Sequence, residues 1–330
     1  MIKKYNFSRK ITENFSLKSK HLFKKQTGNA RYYYQLHFDE TLNNDLMQIS
    51  KFSKETNIPF KIFGMHTNIY ITDNGYNGMF IDMAPQNSKI EFNKEDETFI
   101  VSGNLLVSEL VNHTMKIGYD FSVLTGVPGM ISSGIVGNSG WHQTHKSLGD
   151  FVKEITLYDF INEKYIKISP DKNFFSERNS YIKEQNKKET RYFIKEAILK
   201  TEYIGPEQVR EKYNSQINKR KDYLHIGYKD GCAGSLWSNT LLRKATGKSF
   251  LMMLQENNSI KENFNGATYG DTGHMFFTTQ KQTTDKDVAK LFIHTLTKLK
   301  ELYNVTPTKE ILILDYDGEI DLNTFIERYK

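Results

Sequence analysis

Residues 126–140 read GVPGMISSGIVGNSG. Gly126, Gly129, Gly134, Gly137 and Gly140 crowd this one segment, and Pro128 fixes a rigid turn inside it. Such a run makes a poor helix and a poor strand, because glycine adds backbone entropy and offers little side chain to pack. It suits a loop whose bare amides approach an anionic ligand such as a pyrophosphate. A glycine-rich surface turn would show the same spacing, so the rest of the chain must decide. Two further stretches stand out: FGMHTN upstream, ending at Asn68, and GCAGSLWSN downstream, with Ser235 at its centre.

Composition narrows the field. A chain of 330 residues has room for two or three domains with buried cores. With 38% hydrophobic and 13% aromatic residues it is globular and not disordered. The net charge of +6 arises from 45 basic and 39 acidic residues mixed along the chain, which suits anionic small molecules but lacks the basic stripe of a nucleic-acid binder. Cys232 is the sole cysteine, so neither an intramolecular disulfide nor a cysteine-based metal site is expected. The first residues, MIKKYNFSRKITENFSLKSKHLFKK, lack the apolar core of a signal peptide, and no apolar run approaches the length of a membrane span. The expectation is a soluble cytoplasmic protein with no membrane, nucleic-acid or metal partner.

Working outward from the glycine-rich segment, the chain alternates helical and strand patterns. Residues 1–30 read as a polar, basic, extended lead-in. Glu40 to Glu55 carries Leu42, Leu46, Ile49 and Phe52 at helical spacing. PFKIFG, IYIT and MFIDM read as short strands, with DNGYNG as the turn between the last two. FIVSG leads into a helix bearing Leu106, Leu110, Val111 and Met115. After the glycines, FVKEITLYDF and KYIKIS read as a hairpin and RYFIKEAILKTEYI as a closing strand. Pro206 opens a basic helix whose KRK at 219–221 reads as a solvated face. Thr284 and Asp287 form a capping box for a later helix, and ILILD is a buried strand. The class is α+β, with breaks expected near 30/31, 95/96 and 205/206.

Six motifs in order resemble the UDP-N-acetylenolpyruvoylglucosamine reductase (UDP-N-acetylmuramate dehydrogenase) family, from about Thr27 to about Leu314. TGNARYYYQL is similar to the family's G-G-P-A-D-Y opening, and IFGMHTNIYITDNGYNGMFI to L-G-G-G-S-N-L-L-V-S-D-x-G-F-x-G-L-V-I. LTGVPGMISSGIVGNSG is similar to L-x-G-I-P-G-T-V-G-G-A-x-x-x-N-x-G, and FSERNSYIK to G-Y-R-x-S-x-F-K. AGSLWSN matches A-G-S-x-F-x-N-P, and GATYGDTGHMFF matches G-G-A-x-V-S-x-x-H-A-x-F. The resemblance implies an FAD-binding fold of the vanillyl-alcohol-oxidase type in two subdomains, residues 31–95 and 96–205, plus an α/β substrate-binding domain, 206–330. It also implies noncovalent FAD, NADPH as electron donor, and reduction of an enolpyruvyl nucleotide sugar in peptidoglycan precursor synthesis.

The same resemblance assigns roles residue by residue. Gly64, Met65, His66, Thr67 and Asn68 stand in the first FAD loop, and Gly126, Pro128, Gly129, Ser132, Ser133, Gly134, Asn138 and Gly140 in the second. In the first, Met65 and His66 replace glycines, which costs most where a positive φ is needed; in the second, Ser132 and Ser133 replace a glycine pair. Ser235 takes the place of the proton donor and Arg178 that of the carboxylate-stabilising residue, preceded by Ser176 and Glu177 where the family has glycine and tyrosine. The catalytic glutamate is either Glu310, by a two-residue shift, or is replaced by Thr308 in strict register. Asn239 and Tyr269 are the substrate-contacting candidates, His274 matches a family histidine, and Trp141 either stacks on a ring or packs. Plainer readings stand beside these: a turn serine at 235, a surface ion pair at Arg178, strand-edge charge at Glu310. At the level of the whole chain, a flavoprotein acting on another acceptor and a flavin-free, non-catalytic relative are the alternatives.

Overall fold

The computed structural model describes residues 2–20, 27–141, 146–229, 232–270 and 276–330. The chain packs as two compact units, each assembled from separate stretches of sequence. The first contains Met1–Glu13, Arg31–Met65 and Gly78–Arg220; the second contains Asn14–Ala30, His66–Asn77 and Lys221–Lys330.

The first unit holds two hydrophobic cores. One lies on a five-stranded antiparallel sheet ordered Lys164–Ile168, Val152–Asp159, Tyr192–Lys200, Thr98–Ser102, Ile90–Asn93. Helices Val107–Lys116 and Ile131–Val136 pack on it, through Leu110, Val111, Ile131 and Ile135 against Phe99, Ile155, Leu157 and Leu199. The other core gathers under helix Leu42–Thr56, whose Leu42, Leu46, Ile49 and Phe52 are buried as their spacing requires. Phe60–Phe63 runs parallel to the Met79–Asp82 segment beside this helix's core. Met130, Tyr158, Phe160 and Phe193 belong to this second core although their neighbours in sequence belong to the first. That sharing is why the break expected at 95/96 does not separate two units.

The second unit has one core, built from helices Asn239–Thr246, Phe250–Glu256, Asp285–Tyr303 and Leu322–Tyr329. Thr284 and Asp287 form the expected reciprocal cap of the third helix. Leu312–Asp315 pairs in parallel with Ile69–Ile71 and antiparallel with Gly318–Ile320, so a strand from near residue 70 is built into the C-terminal core. The division expected at 205/206 instead falls at 220/221, within the long helix Pro206–Lys229.

Residues 1–30 are no extended lead-in. Tyr5, Ile11 and Leu17 are buried, and Thr12–Ser16 is a strand. Ser8 donates its amide and hydroxyl to the Asp45 carboxylate, and Arg9 pairs with Asp39 at 2.6 Å. Gly28 lies so near the Asp73–Gly75 turn that a Cβ would sit 2.3 Å from the Gly75 amide nitrogen, which explains the glycine of TGNA.

Candidate functional site

Within the first unit, the two glycine-bearing loops come together. A Cβ on buried Gly64 would stand 2.9 Å from Ser133 Oγ, so the first loop reaches the second only because residue 64 is glycine. Gly126 and Gly129 hold left-handed backbone, with φ of 74° and 113°. The amides that open helix Ile131–Val136 are taken: Ile131 N–H donates to Leu105 O at 2.8 Å, and Ser132 N–H to Gly103 O at 2.8 Å. Both replacement serines are engaged inside the protein as well. Ser132 Oγ donates to Met83 Sδ and Ser133 Oγ to Met130 O. In the Thr125–Gly129 bend the Thr125 and Val127 amides are also taken, by Ser122 O at 3.0 Å and Leu124 O at 2.9 Å, while the Thr125 hydroxyl is buried with no hydrogen-bond partner. Such an orphaned donor calls for a polar group from outside.

Asn138, expected at the cofactor, has its amide committed to the fold. Its Nδ2 donates to Ser176 O at 2.8 Å and its Oδ1 accepts from Gly149 N–H at 3.0 Å, which ties the glycine segment to the Phe175–Ser180 hairpin. Arg178 sits in the turn of that hairpin at φ 53°, an unfavourable conformation for a side chain of this size. Its guanidinium donates to Gly140 O at 2.8 Å, and Lys183 Nζ donates to Arg178 O at 2.8 Å. Gly140 cannot be larger, since a Cβ would lie 2.5 Å from Lys146 O.

A second arginine was missed in the sequence. Arg220, the middle of the KRK run, is not on a solvated face; it is 5% exposed and lies with its guanidinium carbon 4.3 Å from the Trp141 ring centre. Burial, and then the charge of Arg178, push its pKa down to about 10. The helix signal could not reveal this, because Trp141 lies almost eighty residues earlier. The one available cue was the unusual tryptophan after Gly140.

Within the second unit, Ser235 ends the strand Cys232–Ser235 and is fixed from two sides. The Asn68 side-chain amide donates to Ala233 O at 2.8 Å and Ser235 O at 3.0 Å, so Asn68 acts on the serine strand. Gly234 between them has φ 73°, and a Cβ there would be 2.9 Å from Thr67 O. On the other side, Glu310 N–H donates to Leu236 O at 2.7 Å, Trp237 pairs with Lys309, and Ser238 N–H donates to Thr308 O at 2.9 Å. The register puts half-buried Glu310 opposite the residue after Ser235, and exposed Thr308 opposite Ser238. Of the two alternatives for the acid, Glu310 is therefore the one beside the serine.

His66 holds φ 53°, so the position where a glycine was expected does require left-handed backbone, and Met65 before it is exposed. The two substrate-contacting candidates, Tyr269 and Asn239, are both buried. Tyr269 is wholly buried, its hydroxyl bonded to Trp237 Nε1 at 2.9 Å and Thr295 Oγ1 at 3.0 Å, because a large aromatic with a polar tip satisfies both ends in the core. Asn239 is buried at the start of its helix and accepts Phe250 N–H at 2.9 Å. His274 lies outside the described residues. Among the described residues no cluster of histidine, cysteine or carboxylate could hold a metal, and no helix is long and apolar enough to cross a membrane.

Comparison with known proteins bears on the fold. Residues 41–169 match the family described as FAD binding domain. The UDP-N-acetylenolpyruvoylglucosamine reductase of Clostridium novyi is 24% identical over 270 residues, 81% of each chain. That of Bacillus velezensis is 25% identical over 274 residues, covering 82% of this chain and 83% of its own. That of Rickettsia conorii is 27% identical over 222 residues, 67% and 69%. In fold, the chain is similar to the UDP-N-acetylenolpyruvylglucosamine reductase of Thermus caldophilus, with a TM-score of 0.68 over 92% of this chain and 98% of that one, at 15% identity. The fold is thus the α+β FAD-binding one expected from the sequence.

Proposed function

The chain belongs to the UDP-N-acetylenolpyruvoylglucosamine reductase family as a divergent member, and from this premise we propose that it is an FAD-dependent reductase that uses NADPH to convert UDP-N-acetylglucosamine enolpyruvate to UDP-N-acetylmuramate. The observation that carries the reading is the setting of Ser235, held by the Asn68 amide and flanked in register by Glu310.

The residues of the first unit fit a flavin nucleotide. The Thr125–Gly129 bend, with its orphaned buried hydroxyl and left-handed glycines, would hold the phosphates, and Gly64 keeps the approach free of side-chain bulk. Bound FAD would supply the hydride, with NADPH as its source. Arg178, its guanidinium fixed by Gly140 O, would meet the negative charge that develops on the acceptor carboxylate. Ser235 gives a proton to the adjacent carbon, and Glu310 supports the serine in that step. The carbon–carbon double bond is reduced by this hydride and proton together. Met65 and His66 in the first loop, and Ser176–Glu177 before Arg178, depart from the family's residues at these positions.

Stopped-flow spectroscopy of the purified, FAD-loaded protein tests the proposal. NADPH should bleach the flavin absorbance and UDP-N-acetylglucosamine enolpyruvate should restore it anaerobically. Reduction without restoration would assign a different acceptor. Failure to retain any FAD after incubation with excess cofactor would remove the oxidoreductase reading altogether.

A further inference from the structure

Among the described residues, Arg220 is a buried cation without a counter-ion. Among the described residues no carboxylate pairs with it, its Nε is buried with no hydrogen-bond partner, and the nearest charge acting on it is Arg178, of the same sign. It lies in the second half of helix Pro206–Lys229, where neighbouring backbone carbonyls serve the helix itself. One turn earlier on the same face, Gln216 also has a buried side-chain oxygen with no partner. An amide oxygen and nitrogen differ only by a flip, so this group can equally present its NH2. Trp141 covers one face of the Arg220 guanidinium at 4.3 Å, which leaves the donors along its edge to face a ligand. Trp141 directly follows Gly140, whose carbonyl holds Arg178.

We propose that Arg220, Arg178 and Gln216 form an oxyanion clamp on the Gly140–Trp141 strand, with Arg220 as a binding and specificity residue for the anionic group of the acceptor. The fold keeps the buried Arg220 guanidinium within reach of the like charge of half-buried Arg178, which is costly without an anion and favourable with one. The ligand chemistry is a carboxylate or a phosphate. Its identity rests on the acceptor reading above, while the existence of the clamp does not.

The test uses the FAD-loaded protein and the variants Arg220→Met and Arg220→Lys, with binding of malonate and of pyrophosphate followed by calorimetry and thermal unfolding at constant ionic strength. In wild type one of the two anions binds and raises the melting temperature. Arg220→Met should weaken that binding on the order of ten- to a hundred-fold, the loss of hydrogen bonds to a charged group. Without added anion, Arg220→Met should melt no lower than wild type, since it removes an uncompensated buried charge. Arg220→Lys keeps the charge but not the planar fork, and should recover only part of the affinity. A preference for malonate assigns the clamp to a carboxylate, and a preference for pyrophosphate assigns it to a phosphate. Equal anion binding in wild type and Arg220→Met overturns the proposal. So does a fall in melting temperature of Arg220→Met with no anion effect in any form, which would make Arg220 a packing residue. Anion binding that depends on Arg220, together with failure of the enolpyruvyl substrate to reoxidise flavin, would retain the clamp and discard the acceptor.

Discussion

Replacing Asn68 with alanine removes both hydrogen bonds that its amide gives to Ala233 O and Ser235 O, at 2.8 and 3.0 Å. Each such bond contributes about 0.5–1.5 kcal/mol net, and half-burial keeps water from fully replacing them, so the loss should be roughly 2 kcal/mol. In a chain of this size that lowers the melting temperature by about 3 °C. The effect on chemistry should be larger than the effect on stability. Released from Asn68, the left-handed turn at Gly234 is free to shift the serine, and a displacement of about 1 Å costs on the order of a hundred-fold in rate. Flavin content should stay near one per chain and flavin reduction by NADPH near wild type, because the lost bonds lie on the serine strand. Asn68→Asp should be worse than alanine, since a carboxylate would confront two carbonyl oxygens. Thermal unfolding, flavin stoichiometry after denaturation and the two half-reactions measured separately provide the readout. An alanine variant that loses flavin yet reoxidises normally whatever remains would show that Asn68 serves the cofactor, and the assignment to Ser235 would fall.

Other outcomes follow from the same geometry. Ser235→Ala should slow flavin reoxidation by the enolpyruvyl substrate about 10²–10⁴-fold while sparing reduction by NADPH, the range for a lost acid; equal slowing of both steps in stopped flow refutes the proton-donor role. Glu310→Gln should depress turnover and leave flavin binding intact, whereas Thr308→Glu, at the exposed position, should add nothing; a gain in steady-state rate from Thr308→Glu would reverse that choice. Asp39 is held at a pKa of about 2, first by the Thr41 hydroxyl and then by the Thr41 amide and Arg9, and is only 13% exposed. Its folded value lies below the unfolded one, so its contribution is full above about pH 4 and is lost as the pH falls toward about 2. Asp39→Asn should therefore cost about 1–2 kcal/mol near neutrality by urea denaturation, the gap closing with acid; a pH-independent gap contradicts the mechanism.

The strand and helix pattern was legible because burial follows period: the spacing of Leu42, Leu46, Ile49 and Phe52 and the alternation about the central hairpin reach the structure unchanged. The glycine loop was legible for a related reason, that Gly126, Gly129 and Gly140 occupy positions closed to other residues by φ or by contact. What the sequence hid depends on side chains that meet across long separations. Asn138 stands in a motif beside glycines, yet only the fold reveals Ser176 O and Gly149 N–H waiting for its amide. Tyr269 reads as a substrate contact from its motif, but Trp237 and Thr295 take up its hydroxyl in the core. Arg220 sits among charges in a polar helix, and nothing local distinguishes it from Lys219 or Lys221. The buried Tyr5, Ile11 and Leu17 are too irregularly spaced among charged residues to announce themselves.

The parallel pairing of Ile69–Ile71 with Leu312–Asp315 also governs how this chain is born. The earlier strand leaves the ribosome about 240 residues before its partner, and its Tyr70 belongs to a core otherwise made of residues beyond 232. At elongation rates of roughly 5–20 residues per second, that apolar segment waits on the order of 10–50 s without its hydrophobic neighbours. The intervening first unit can close meanwhile, but it gives the waiting strand no place in its own cores. Nascent-chain handling by a holdase, and truncations that spare the first unit yet aggregate through residues 66–77, are the traces such a delay would leave in a cell.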